Sequence, residues 1–168
     1  MTGSIEGPGC FPVGPGLCDR LGMWFTRSKP QPEAPFFVWS DPDHSVGVQL
    51  FDQEHKELVL LVSQVHASLV EKRDRVRAQQ LMETLIRETR SHFAHEEREM
   101  EEAGFPGREV HSTEHAVLLR EVQDLLRQFL SGSLSAMALP NFLKNWLIPH
   151  IQVSDRKYAG TMRRRGMR

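Results

Sequence analysis

HFAHEEREMEEAGFPGREVHSTEH, residues 92–115, holds the end of one helix, a break and the start of the next. Residues 92–103 contain neither glycine nor proline, whereas GFPG at 104–107 is a strong helix interruption. A connection this short turns the second helix back along the first. His92 and Glu96 are four residues apart, as are His111 and His115. Each pair therefore shares one face of its helix. Because the break separates the two pairs so narrowly, both lie at the same end of the pair of helices.

Working outward, the same logic predicts four helices. The first spans about Phe51 to Lys72, with Phe51, Leu58, Val59, Val62, Val65 and Leu69 on one apolar face. The second spans about Arg75 to Glu102, facing inward with Met82, Leu85, Thr89, Phe93 and Met100. The third spans about Glu109 to Leu130, with Leu118, Leu119, Val122, Leu125 and Phe129 inward, and SGS at 131–133 ends it. The fourth spans about Ala138 to Tyr158, with Pro140 in its first turn and Phe142, Leu143, Trp146 and Leu147 inward. Short loops between four amphipathic helices define an all-α, up-down-up-down antiparallel four-helix bundle. Ahead of it, PFFVWSDPDHSVGVQL (35–50) reads as an extended arm with aromatic anchors.

Residues 1–34 are rich in Gly and Pro and show no period, the composition of a disordered extension. Cys10 and Cys18 match no metal-site spacing and read as incidental thiols; Met23 is a second possible start. Residues 35–160 form the predicted domain, and 161–168 read as a solvated basic tail. Hydrophobic residues make up 39% of the 168, enough to exclude wholesale disorder. A net charge of −1 argues against a nucleic-acid-coating surface. No apolar run is long enough for a membrane span, and no secretory leader is visible, which points to the cytoplasm.

The chain has eight histidines, and five align with two carboxylates. His55 opens the first helix; His92 and Glu96 close the second; His111 and His115 open the third; His150 and Asp155 close the fourth. In an antiparallel bundle all seven share one end. A single HxxxH pair means little; seven donors converging on one core imply a metal centre, because unpartnered buried imidazoles and carboxylates are costly. Seven donors exceed what one ion needs and suit two, bridged by the carboxylates. With no thiolate among them, the set suits iron better than manganese or zinc. Five neutral imidazoles against two carboxylates favour holding dioxygen over cleaving it, since anionic ligands are what stabilise high-valent iron. His44, His66 and His95 are expected to face solvent. Pro149 cannot donate to the Asn145 carbonyl, and His150 and Asp155 are five apart. A kink or π-type turn there would let both face inward.

VWS (38–40), VGVQLFDQEHKEL (46–58), HFAHEEREM (92–100), His111 with His115, and WLIPHIQVSD (146–155) together resemble the hemerythrin family in its bacterial form, over about residues 35–160. The resemblance implies one iron held by His111, His115 and His150. It implies a second held by His55 and His92, with an open position for dioxygen. Glu96, Asp155 and a solvent-derived oxo or hydroxo group would bridge them. Trp146, Leu147 and Ile151 would line the oxygen pocket. The expected function is reversible dioxygen binding for storage, delivery or sensing, with an oxygen-consuming enzyme as a possible recipient. The alternative is an enzyme that uses the same irons as a peroxidase or as a nitric-oxide or peroxide scavenger.

Overall fold

The computed structural model describes residues 36–167; expectations for residues 1–34, including Cys10, Cys18 and Met23, lie outside them. A short helical turn, α1 (Asp41–His44), interrupts the arm. The bundle follows as α2 (Gln49–His66), α3 (Arg75–Ala103), α4 (Arg108–Ser131) and α5 (Ala138–Pro149), with α6 (Arg156–Arg164) continuing the fourth arm. Two π-helical segments join these elements: Ala67–Glu71 extends α2, and His150–Asp155 connects α5 to α6. There is no strand among the described residues. α2 packs on α3 and α5, α3 on α4, and α4 on α5, which closes the four-helix ring.

Local chemistry sets the helix ends. Asp74 caps α3 by accepting the Arg77 N–H at 2.9 Å. At the other end, Gly104 sits at φ +64°, and the Phe105 N–H returns to the Met100 carbonyl at 2.9 Å. That left-handed residue ends α3 without the steric penalty a Cβ would bring. The reversal it starts places the end of α3 beside the start of α4.

The predicted inward faces of the first two helices are buried throughout. On α4, Val122, Leu125 and Phe129 are buried, while Leu118 and Leu119 are half-buried. Phe142, expected inward, is exposed. It lies about 100° around α5 from Leu143, beyond the stripe of Leu139, Leu143, Trp146 and Leu147 that faces the core. The helix at the end of the chain continues past residue 160. α6 runs on to Arg164, and Met162 is buried because it continues the inward stripe of Tyr158 and Ala159.

Two of the three remaining histidines belong to the arm's packing. His44 is buried rather than solvent-facing, between Phe37 and Trp39, and accepts the Ser40 N–H at 2.9 Å. His66 is half-buried and stacks on Phe36 with ring centres 4.2 Å apart.

Candidate metal centre

Four helical arms deliver seven buried donors to one end of the bundle. His55 comes from α2, His92 and Glu96 from α3, His111 and His115 from α4, and His150 and Asp155 from the π-helical segment. The π segment lies where the sequence spacing pointed to a kink or a π-type turn. Its wider turn brings residues five apart toward the same face, which a regular α-helix would not do.

The donors fall into two overlapping groups. Glu96, His111, His115, His150 and Asp155 form one; His55, His92, Glu96 and Asp155 form the other, and within each group the donor atoms lie within 4.8 Å of one another. The shared carboxylates divide their oxygens between the groups. Glu96 Oε1 faces His92 Nε2 at 3.4 Å and His55 Nε2 at 3.8 Å, while Asp155 Oδ2 lies 3.2 Å from His55 Nε2. Glu96 Oε2 faces His111 and His115 Nε2 at 3.4 and 3.2 Å. Asp155 Oδ1 faces His111 and His150 Nε2 at 3.4 and 3.1 Å.

Three further carboxylates hold the outer nitrogens of these rings. Glu54 accepts from His92 Nδ1 at 2.7 Å, Glu97 from His115 Nδ1 at 2.9 Å, and Glu114 from His150 Nδ1 at 2.9 Å. Glu114 also accepts the Ser154 hydroxyl at 2.7 Å. A proton fixed on Nδ1 leaves Nε2 as a lone pair aimed at the centre of the cluster. Sequence reading missed these three. Their signal is adjacency: Glu54 and Glu114 directly precede His55 and His115, and Glu97 directly follows Glu96. Each acts across the bundle on a ring from another helix, and single-helix periodicity does not show that. Tyr158, also missed, is fully buried and donates its hydroxyl to Glu96 Oε1. His95 is half-exposed and shares Glu54, its Nδ1 lying 2.6 Å from Oε1.

Several features of this arrangement call for a cation. With Nδ1 protonated on both rings, His115 and His150 point their Nε2 lone pairs at each other across 3.1 Å. Both carboxylate oxygens of Asp155 and both ring nitrogens of His55 are buried without a hydrogen-bonding partner. Their 3.2 Å approach is close but not aligned as a hydrogen bond. Such orphaned groups are costly unless a ligand satisfies them.

The electrostatics agree. Burial pushes the Glu96 carboxyl up, but His92, His111, His115 and His55 outweigh it and hold it well below the usual range. Asp155 is lowered too: burial and Glu96 oppose ionisation, and His150, His111 and His55 prevail. Burial disfavours the charged form of His111, yet Asp155 and Glu96 push it up to about 9. Burial, then Glu96 and Asp155, keep the Tyr158 phenol far above its ordinary range, so it stays a donor.

Aromatic side chains pack against two of the site's rings. Phe93 stacks on His115 with centroids 3.7 Å apart, and Trp39 lies nearly parallel to His55 at 6.1 Å. Trp146, Leu147 and Ile151 are buried, and the Trp146 indole donates to the Leu118 carbonyl at 3.2 Å.

The fold and the cluster define a four-helix protein with a buried histidine–carboxylate site able to hold metal. A family profile described as "Hemerythrin HHE cation binding domain" matches residues 46–161, and the chain belongs to the hemerythrin family. It is 31% identical to a bacteriohemerythrin of Stenotrophomonas maltophilia (strain R551-3) over 73% of this chain and 78% of the relative. A myohemerythrin of Riftia pachyptila is 29% identical over 75% of this chain and 93% of that one. A solved wild-type hemerythrin superposes with a TM-score of 0.69 at 25% identity, covering 76% of this chain and 98% of its own. No helix among the described residues is long and apolar enough to cross a membrane.

Proposed function

We propose that this chain binds dioxygen reversibly at a non-haem di-iron centre, as an oxygen storage, delivery or sensing protein rather than an enzyme. The observation that carries the reading is the division of Glu96 and Asp155. Glu96 turns one oxygen toward His55 and His92 and the other toward His111 and His115, while Asp155 turns one toward His55 and the other toward His111 and His150. That is how two bridging carboxylates would serve two neighbouring ions. A pair of ferrous ions held there supplies the reversible two-electron exchange that dioxygen binding needs.

The rest is the work of the chain. The three-histidine group would saturate one ion, and the two-histidine group would leave the other short of a ligand. Glu54, Glu97 and Glu114 fix ring tautomer and orientation, so the imidazoles present lone pairs without rearranging. Tyr158 holds Glu96 in its bridging orientation. Trp146, Leu147 and Ile151 line the pocket and exclude water from it. Five neutral imidazoles keep the site's negative charge low, which favours release over cleavage of dioxygen. An oxygen-consuming enzyme is the fitting recipient.

Gas cycling tests this. Iron-loaded protein should develop a visible absorption band under oxygen and lose it under inert gas, repeatedly and with no substrate consumed. A band that never responds to oxygen, or sustained turnover of peroxide, would replace this reading with an enzymatic one.

A further inference from the structure

We propose that α6 and the turn at residues 41–47 form a binding site for a small oxyanion, a phosphate- or carboxylate-bearing molecule, distinct from the metal centre. A cavity of about 340 Å³ lies between them, lined by Asp41, Ser45, Gly47, Arg156, Ala159 and Arg163. That volume is in the range of small-ligand pockets. Arg156 and Arg163 are seven apart, two turns along one face of α6, with Ala159 between them. They form two cationic walls with an apolar floor.

Both guanidinium groups are anchored but not neutralised. Arg156 Nη2 donates to the Asp43 carbonyl at 2.5 Å, and Arg163 Nη1 to the Val46 carbonyl at 3.3 Å. A guanidinium has five N–H donors, so most remain for a ligand. Among the described residues, the Lys and Arg side chains that pair with carboxylates are Lys56, Arg87, Arg98, Arg108 and Arg127. None lies on α6, although α6 and the residue after it carry Arg156, Lys157, Arg163, Arg164 and Arg165.

Three acids lie near the cavity, and of these only Asp41 is part of its lining. Asp41 accepts the Trp39 indole N–H at 2.5 Å and pairs with Lys56 at 3.2 Å. Asp43 accepts the Ser40 hydroxyl at 2.8 Å. Asp52 accepts the Ser45 hydroxyl at 2.6 Å and the Val46 N–H at 2.8 Å. Asp43 and Asp52 are held by neutral donors and lie outside the lining, and Asp41 is the one acid in the lining against Arg156 and Arg163, so the lining carries a net positive charge.

Gly47 makes the placement specific. Its φ is +74°, and a Cβ there would sit 2.8 Å from Arg163 Nη1. Glycine leaves room for that guanidinium to lie against the turn, within reach of the Val46 carbonyl. A concave site with two guanidinium groups suits a small oxyanion better than an extended polymer or a membrane surface. Lys157, Arg164 and Arg165 lie outside the cavity lining.

Titration calorimetry on the full iron-loaded chain tests this, using sodium phosphate and sodium citrate against sodium chloride at matched ionic strength. Saturable binding of one anion per chain is expected, with phosphate alone, citrate alone or both distinguishing the headgroup. Arg163→Gln and Arg156→Gln should each weaken it roughly tenfold or more, as expected for a lost charge-assisted hydrogen bond, with iron content unchanged. Phenylglyoxal labelling of the wild type, read by peptide mass spectrometry, needs no variant. The bound anion should protect Arg156 and Arg163 but not Arg164 or Arg165. Absence of saturable heat, unchanged affinity in folded variants, or equal protection of all four arginines would overturn the proposal. So would binding to RNA or anionic vesicles with no response to phosphate or citrate.

Discussion

Replacing Tyr158 by Phe removes one hydroxyl from the centre of the bundle and leaves the ring in place. The ring packs edge-on against Phe51 at 5.5 Å and His111 at 5.6 Å, so Phe fills the same space without a new cavity. What disappears is the donor to Glu96 Oε1. Hydrogen bonds to charged groups contribute about 1.5–3 kcal/mol, and Glu96 is fully buried, so water cannot replace the phenol. For a domain of this size that corresponds to a melting temperature lower by about 5–15 °C. Loss of a partner that orients a ligand also weakens metal binding, by about 10–100-fold. The assay is chelator competition on iron-loaded wild type and variant, with the melt followed by far-ultraviolet circular dichroism. The pH dependence of the metal-free protein gives a further check. There Glu96 has a depressed folded-state pKa, so its contribution is present above the ordinary carboxylate range and lost as pH falls. Without the phenol that loss should begin at higher pH. Equal melting temperatures and equal chelator resistance would refute the idea that Tyr158 positions Glu96.

Other consequences are more direct. His55→Ala should abolish stable oxygen binding, measured by the gas-dependent absorption band. His44→Ala should keep the band and lower the melting temperature instead, since His44 packs the arm. Glu114→Ala frees both His150 Nδ1 and the Ser154 hydroxyl and should cut metal affinity about 10–100-fold in chelator titrations. Stripping the metal should lower the melting temperature and speed amide exchange first at the end of the bundle that carries the seven donors. In the stripped protein His111, raised to about 9, stabilises fully below its unfolded value near 6.5, so stability should fall as pH rises from there through about 9.

The fold was legible because each helix carries its own period and each break its own chemistry. GFPG at 104–107 and SGS at 131–133 mark reversals that the structure places within a residue or two. The seven donors were legible because an antiparallel topology maps chain order onto bundle ends. Pro149 and the five-residue interval to Asp155 pointed to a kink or a π-type turn, and the structure has a π-helical segment there. What escaped was whatever depends on a second helix. Glu54, Glu97 and Glu114 look like ordinary surface acids until the facing ring is in view. Tyr158 reads as one more core aromatic, and its hydroxyl gains meaning only from Glu96 across the bundle. Phe142 was misplaced for the converse reason: its hydrophobicity pointed inward while its angular position on α5 did not. His44 looked like a polar residue in a loop, yet Phe37 and Trp39 fold over it.

Anomalous diffraction at the iron edge, from crystals of the iron-loaded protein, tests the central claim most directly. Two peaks are expected. One should be bounded by His111, His115 and His150 and the other by His55 and His92, with Glu96 and Asp155 each reaching both. A single peak, or a signal at the zinc edge in protein produced with ample iron, would contradict the di-iron account.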